Sequence, residues 1–149
     1  MDDQDNKVLR FDLPKNSKYK ALLLDDDPMF CSTLKSYGKK KNIEIITSQS
    51  IGDFLSNLGQ TSTDILIIDF KLQEETTGLD IVKFLAGSSP MLLVSGNQTN
   101  LKPEDSILPK YCYFIAKDSG PKAIIDKATH LIESASWLKP NLFKSTANS

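Results

Sequence analysis

The sequence predicts an α/β protein with one parallel sheet covered by helices on both faces. Three observations carry this. Short apolar runs alternate with amphipathic segments five times along the chain. The runs Leu22-Leu23-Leu24, Ile65-Leu66-Ile67-Ile68, Met91-Leu92-Leu93-Val94 and Tyr113-Phe114-Ile115-Ala116 are nearly continuous, as strands covered on both sides require. Each run ends in a polar residue suited to chemistry: Asp25-Asp26-Asp27, Asp69, Ser95 and Lys117.

The first strand spans about Lys20 to Asp25. Pro28 suits the first turn of a helix, with Asp27 as its cap. That helix carries Phe30, Leu34 and Tyr37 on one face, and Gly38 with Lys39, Lys40 and Lys41 closes it. The lysines favour the negative end of the helix dipole and belong in solvent. The second strand spans Asn42 to Thr47. Ser48 or Ser50 caps a short helix bearing Ile51, Phe54, Leu55 and Leu58, and Gly59 ends it. The third strand is Asp64 to Phe70. A polar loop from Gln73 to Gly78 leads to a helix with Leu79, Ile81, Val82, Phe84 and Leu85. The fourth strand is Met91 to Ser95.

Residues Gly96 to Lys110 hold Pro103 and Pro109 and few apolar positions, so any helix there is short or distorted. The fifth strand is Tyr111 to Ala116. A last helix starts near Pro121 and buries Ile124, Ile125, Ala128, Leu131, Ile132 and Ala135.

The chain has 149 residues, the size of one domain. Such a domain buries roughly 68–70% of its unfolded surface. It is 40% hydrophobic and 25% charged, an ordinary globular balance. A net charge of −1 argues against a general nucleic-acid or membrane binder. No apolar run approaches the roughly 18 residues of a membrane span, and the acidic start Met1-Asp2-Asp3-Gln4-Asp5 does not read as a signal peptide. Cys31 and Cys112 lack motif spacing and read as reduced core thiols of a cytoplasmic protein. Residues 1–18 read as a polar tail, with Val8-Leu9-Arg10-Phe11 as a patch that either stays free or docks on the body. Residues 19–137 form the domain, and 138–149 a second tail. There, Trp137, Leu138, Leu142 and Phe143 either pack back or bind a partner. His130 lies late in the last helix and reads as a surface residue.

In a parallel sheet the site lies beyond the carboxyl ends of the strands. Asp25, Asp26 and Asp69 then stand together. Two charges at 4 Å repel by about 1 kcal/mol in water and about 4 kcal/mol at an effective dielectric of 20. A cation or a proton must relieve that. Hard oxygen ligands select Mg2+ or a relative such as Mn2+. Lys117 supplies a point positive charge for a phosphate, and the Ser95 hydroxyl can donate to a phosphoryl oxygen. Such a site suits transfer of a phosphoryl group to a carboxylate, an electrostatic task. Asp69 is the best acceptor, with Asp25 and Asp26 holding the metal. Taken singly, each acid reads better as a solvated strand end; four separate strands ending in the right residue types reverse that reading.

These residues resemble the receiver domain of two-component response regulators. The matching positions are the pair Asp25 and Asp26, the acceptor Asp69, the switch hydroxyl Ser95, Lys117, and Phe114 at the aromatic switch position. The resemblance implies a flavodoxin-like (βα)5 fold with strand order 2-1-3-4-5. It implies Mg2+-dependent phosphorylation of Asp69 by a histidine kinase or phosphotransfer protein, or by a small phosphodonor. It implies that Asp69, Ser95 and Lys117 carry the transfer, and that the Lys71 backbone carbonyl joins the metal ligands. It also implies that Ser95 moves toward the phosphoryl group while Phe114 turns inward, which shifts a protein-binding surface. Catalysis is then confined to the domain's own phosphorylation and dephosphorylation.

The pattern departs from the family in places. Asp118 follows Lys117 where proline is usual, so a trans bond is expected, since a cis bond there costs roughly 3–4 kcal/mol. Gln73 replaces the usual proline after the acceptor, and the usual glycine comes one residue late, at Gly78. The Lys71 ammonium stands where it can pair with the phosphoryl group. Two other readings remain. One is a receiver-like module that is not phosphorylated. The other is a haloacid-dehalogenase-like phosphatase using Asp25-Asp26-Asp27, although Met29 stands where that motif wants Thr or Val and no cap domain fits. No output domain fits in the remaining residues, so output passes to an unidentified downstream protein or the domain serves as a phosphate sink.

Overall fold

A computed structural model describes residues 18–72, 76–85, 89–96 and 111–135. Five strands form one parallel sheet: β1 (Tyr19–Leu24), β2 (Ile43–Ser48), β3 (Ile65–Asp69), β4 (Met91–Ser95) and β5 (Cys112–Ala116). Their spatial order is β2-β1-β3-β4-β5. The helices among the described residues are α1 (Pro28–Lys40), α2 (Ile51–Gln60), α3 (Gly78–Phe84) and α4 (Pro121–Ala135). The α/β doubly wound fold and its strand order are those the sequence predicts.

The sheet separates two apolar layers. Ala21, Leu23, Ile65, Ile67, Leu92 and Val94 face one way, against Leu34 of α1 and Ile124, Ile125, Ala128 and Leu131 of α4. Leu22, Leu24, Leu66, Ile68, Met91 and Leu93 face the other way, against Phe54 of α2 and Leu79, Ile81 and Val82 of α3. This is the period of two expected of strands. Both faces are covered, so the strands are apolar throughout. Burying each Leu or Ile side chain contributes about 1.5–3 kcal/mol.

The helices start where the caps say. Asp27 accepts the Met29 N–H at 3.0 Å, and Ser50, not Ser48, accepts the Asp53 N–H at 3.1 Å. Thr77 and Asp80 form a reciprocal capping box at the start of α3. Two glycines expected to end helices do not. Gly38 lies inside α1, buried where a Cβ would meet Ile45 Cδ1 at 2.8 Å and Ile43 Cγ2 at 2.9 Å. Gly59 lies inside α2, which runs on to Gln60. At Gly38 tertiary packing overrides a local stop signal, while α2 passes Gly59 by a single residue. Strand ends move by a residue or so, and Ala135 is only half-buried. Phe84, one of the apolar residues read along this helix, is 78% exposed at the end of α3.

Cys31 and Cys112 are buried free thiols; burial pushes them up to about 11 and about 12. His130 is exposed as expected. No helix among the described residues is long and apolar enough to cross a membrane. The segments around Val8, Gln73, Pro103 and Trp137 lie outside the described residues.

Candidate phosphoryl-acceptor site

The chain leaves β1 in one direction to build β2 and returns on the other side of β1 to build β3. This reversal opens a crevice at the carboxyl ends of β1 and β3, the place where such sheets hold ligands. Asp25 follows β1 and Asp69 ends β3. Asp25 is fully buried, and Asp69 is 5% exposed. One carboxylate oxygen from each of Asp25, Asp26 and Asp69 lies within 4.8 Å of the others.

Asp25 is held from several sides. Its N–H donates to the Ser48 carbonyl at 3.0 Å, and its Oδ1 accepts the Asp27 N–H at 2.8 Å. The Cys31 thiol donates to its carbonyl at 3.3 Å. Its Oδ2 is buried too. Lys117 Nζ approaches that oxygen at 2.8 Å as an ion pair and lies 3.9 Å from Asp69 Oδ1. The lysine also stacks 4.4 Å above the centroid of the Phe30 ring.

The electrostatics follow from this crowding. Burial, and then the neighbouring Asp25 charge, raise Asp69 to about 7, against the pull of Lys117. Burial raises Asp25 as well, and Lys117 opposes it. For Lys117, burial disfavours the ammonium, but the contact and charge of Asp25 and the charge of Asp69 outweigh it and hold the group above its ordinary value. Three acids facing one ammonium leave negative charge uncompensated. A hard divalent cation fits that donor set, since the ligands are all oxygen and one ammonium does not balance three carboxylates.

The other expected site residues fall around this centre. Ser95 ends β4 and is buried, one position beyond Val94, the partner of Asp69. It shares a sheet face with Leu93, and Phe114 of β5 pairs with Leu93 on that same face. Lys71 stands two residues beyond Asp69 with an exposed side chain. Gly78 closes the loop after β3: its N–H donates to the Phe70 carbonyl at 2.8 Å. A Cβ on Gly78 would run into the Asp69 carbonyl oxygen and lie 2.7 Å from its carbon. The late glycine is therefore the one that lets α3 start against Asp69. After Lys117 the chain takes a 3-10 turn, Lys117–Ser119, with no cis bond among the described residues. Gly120, at φ +96°, completes it where an L side chain is strained.

The family model for the response regulator receiver domain matches residues 21–129. The chain belongs to that family. Solved receiver domains share its fold. One from Methylobacillus flagellatus, described as CheY-like, is 22% identical and covers 76% of this chain and 98% of its own, with a TM-score of 0.64. One from Methanospirillum hungatei JF-1 is 17% identical, covering 79% and 96%, with a TM-score of 0.68. A response regulator from Thermotoga maritima, solved in complex with Mg(2+)-BeF, is 17% identical, covering 76% and 98%, with a TM-score of 0.65. No curated relative matches the sequence.

This receiver domain thus carries the acid cluster and lysine of a phospho-accepting site. Its chemistry is its own phosphorylation and dephosphorylation, and its family role is to interact with a cognate kinase or phosphotransfer protein. The phosphatase reading falls with the family assignment. The sequence reading placed Phe30 only on the apolar face of α1 and missed its contact with Lys117. The available signal was its place in the first turn of α1, close after the acid pair.

Proposed function

We propose that this receiver accepts a phosphoryl group on Asp69 with Mg2+ bound by Asp25, Asp26, Asp69 and the Lys71 backbone carbonyl, and that Ser95 and Phe114 convey the change to a protein-binding surface. One observation carries the reading: Asp69 is buried beside Asp25 at the sheet crevice with a lysine ammonium between them. The three carboxylates supply hard oxygen ligands, and Lys71 can add its carbonyl while its side chain stays in solvent. Mg2+ or Mn2+ would supply charge neutralisation on the transferring group. The Thermotoga maritima relative is described in complex with Mg(2+)-BeF, which supports the same ligand class here.

Within this reading the residues have separate tasks. Asp69 is the nucleophile and must be ionised. Lys117 sits 3.9 Å from Asp69 Oδ1 and offers positive charge to an oxygen of the incoming group. Ser95 donates its hydroxyl to a second oxygen, and Phe114, half-buried on the same face, follows that movement. The phosphodonor is a histidine kinase or phosphotransfer protein, and output goes to a downstream protein, with no direct nucleic acid or membrane contact. We take residues 19–137 as the receiver unit, with residues 1–18 and 138–149 as tails, in a cytoplasmic protein. Acetyl phosphate with Mg2+ should add one phosphoryl mass to the wild type and none to Asp69→Asn. No adduct with small donors or with a cognate kinase would favour a receiver that acts unphosphorylated.

A further inference from the structure

We propose that Phe30 is a positioning residue for Lys117, its ring face seating the ammonium beside Asp25 and Asp69. The inference rests on the reading in which Lys117 meets the phosphoryl group on Asp69.

Lys117 leaves β5, an outer strand separated from β3 by β4 and from β1 by both. Its ammonium nevertheless stands at the β1–β3 crevice. A flexible four-carbon stem held that way loses rotamer freedom, and something must offset the loss. Asp25 does so from one side. From that contact alone, however, the ammonium can swing about Oδ2.

Phe30 supplies the other wall. Asp27 caps α1 and Pro28 starts it, so Phe30 stands in the first turn, level with the carboxyl ends of the strands. Leu34, one turn further, is fully buried in the core. Phe30 packs on the edge of that same cluster and presents its ring to Lys117 Nζ at 4.4 Å. This is well within the roughly 6 Å over which a ring quadrupole attracts a cation. The lysine side chain is only 23% exposed, so water competes weakly for the ammonium. An aliphatic residue at this position would fill similar space without that attraction. A neutral wall also leaves the charge of Lys117 unspent, available to whatever anion Asp69 carries.

The test uses the full chain with acetyl phosphate and Mg2+, and compares Phe30→Leu with Phe30→Tyr. Phe30→Leu should lower the rate of phosphoryl uptake at limiting donor by about 5-fold, and Phe30→Tyr should restore it. Phe30→Met provides a second aliphatic replacement if the leucine variant does not fold. The Lys117 ε-methylene protons should show an upfield ring-current shift by NMR in the wild type and Phe30→Tyr, but not in the aliphatic variants. Wild-type rates in a folded aliphatic variant would overturn the proposal. So would a tyrosine variant as slow as leucine, or no ring-current shift. If the wild type itself takes no phosphoryl group, the functional reading fails, while the ring-current shift still decides whether Phe30 seats Lys117.

Discussion

Lys117 Nζ lies 2.8 Å from Asp25 Oδ2 but 3.9 Å from Asp69 Oδ1. The lysine thus compensates Asp25 more closely than Asp69. Asp69 is left as the under-balanced charge, which is why burial and Asp25 can raise it to about 7. Two substitutions should then shift metal-free stability in opposite directions. Asp69→Asn removes a buried charge and should stabilise by about 1–2 kcal/mol. Lys117→Met leaves Asp25 buried and unpaired and should destabilise by about 2–3 kcal/mol, less than a fully buried pair because the lysine is partly solvated. Urea unfolding of both variants without divalent cations checks the signs.

The raised Asp69 carboxyl also sets a pH dependence. Its folded value of about 7 lies above the ordinary 3.8, so the folded state binds this proton more tightly than the unfolded chain. The resulting stability is fully present below about pH 4 and is lost as pH rises through about 7. Burial raises Asp25 too, which adds in the same direction. The melting temperature of the metal-free protein should therefore fall between pH 5 and pH 8 by more in the wild type than in Asp69→Asn. Millimolar Mg2+ should reverse much of that fall by binding the ionised acids. A wild-type slope equal to that of Asp69→Asn would contradict it.

Metal affinity should separate side-chain ligands from the backbone ligand. Asp25→Asn removes a buried carboxylate charge and should weaken Mg2+ binding by about 10-fold or more. Lys71→Ala keeps the carbonyl and removes an exposed ammonium, so affinity should stay within about 3-fold. Calorimetric titration at fixed pH measures both.

Two glycines should answer oppositely to alanine. Gly78→Ala drives a Cβ into the backbone of Asp69 and Phe70 and should cost about 2–4 kcal/mol. Gly59 lies in α2 with nothing within 4 Å of its added Cβ. Gly59→Ala should stabilise by about 0.5–1 kcal/mol. Denaturant midpoints with unchanged slopes would establish both effects.

Much of this was legible because the signals are local and agree. The run Leu22 to Asp25 states a buried strand and its carboxyl end at once, and the same holds for Ile65 to Asp69. Pro28 after Asp27 fixes where α1 begins, and hence that Asp27 caps while Asp25 and Asp26 face the crevice. What was not legible depends on contacts between elements. Gly38 reads as a stop until Ile43 and Ile45 are seen to need its missing side chain. Phe84 belongs to the apolar run of α3, but it stands in solvent while Leu79, Val82 and Leu85 carry the contact with the core. Phe30 has the periodicity of a core residue, and only the reach of Lys117 from β5 gives it a charged neighbour.

The central claim is that Asp69 is the phosphoryl acceptor, and chemical mapping of the acyl phosphate tests it most directly. After reaction with acetyl phosphate and Mg2+, borohydride reduction should convert only the phosphorylated aspartate to homoserine. Tandem mass spectrometry should then find that residue at position 69. Homoserine at position 25 or 26, or at none of the three acids after full reaction, would contradict the account.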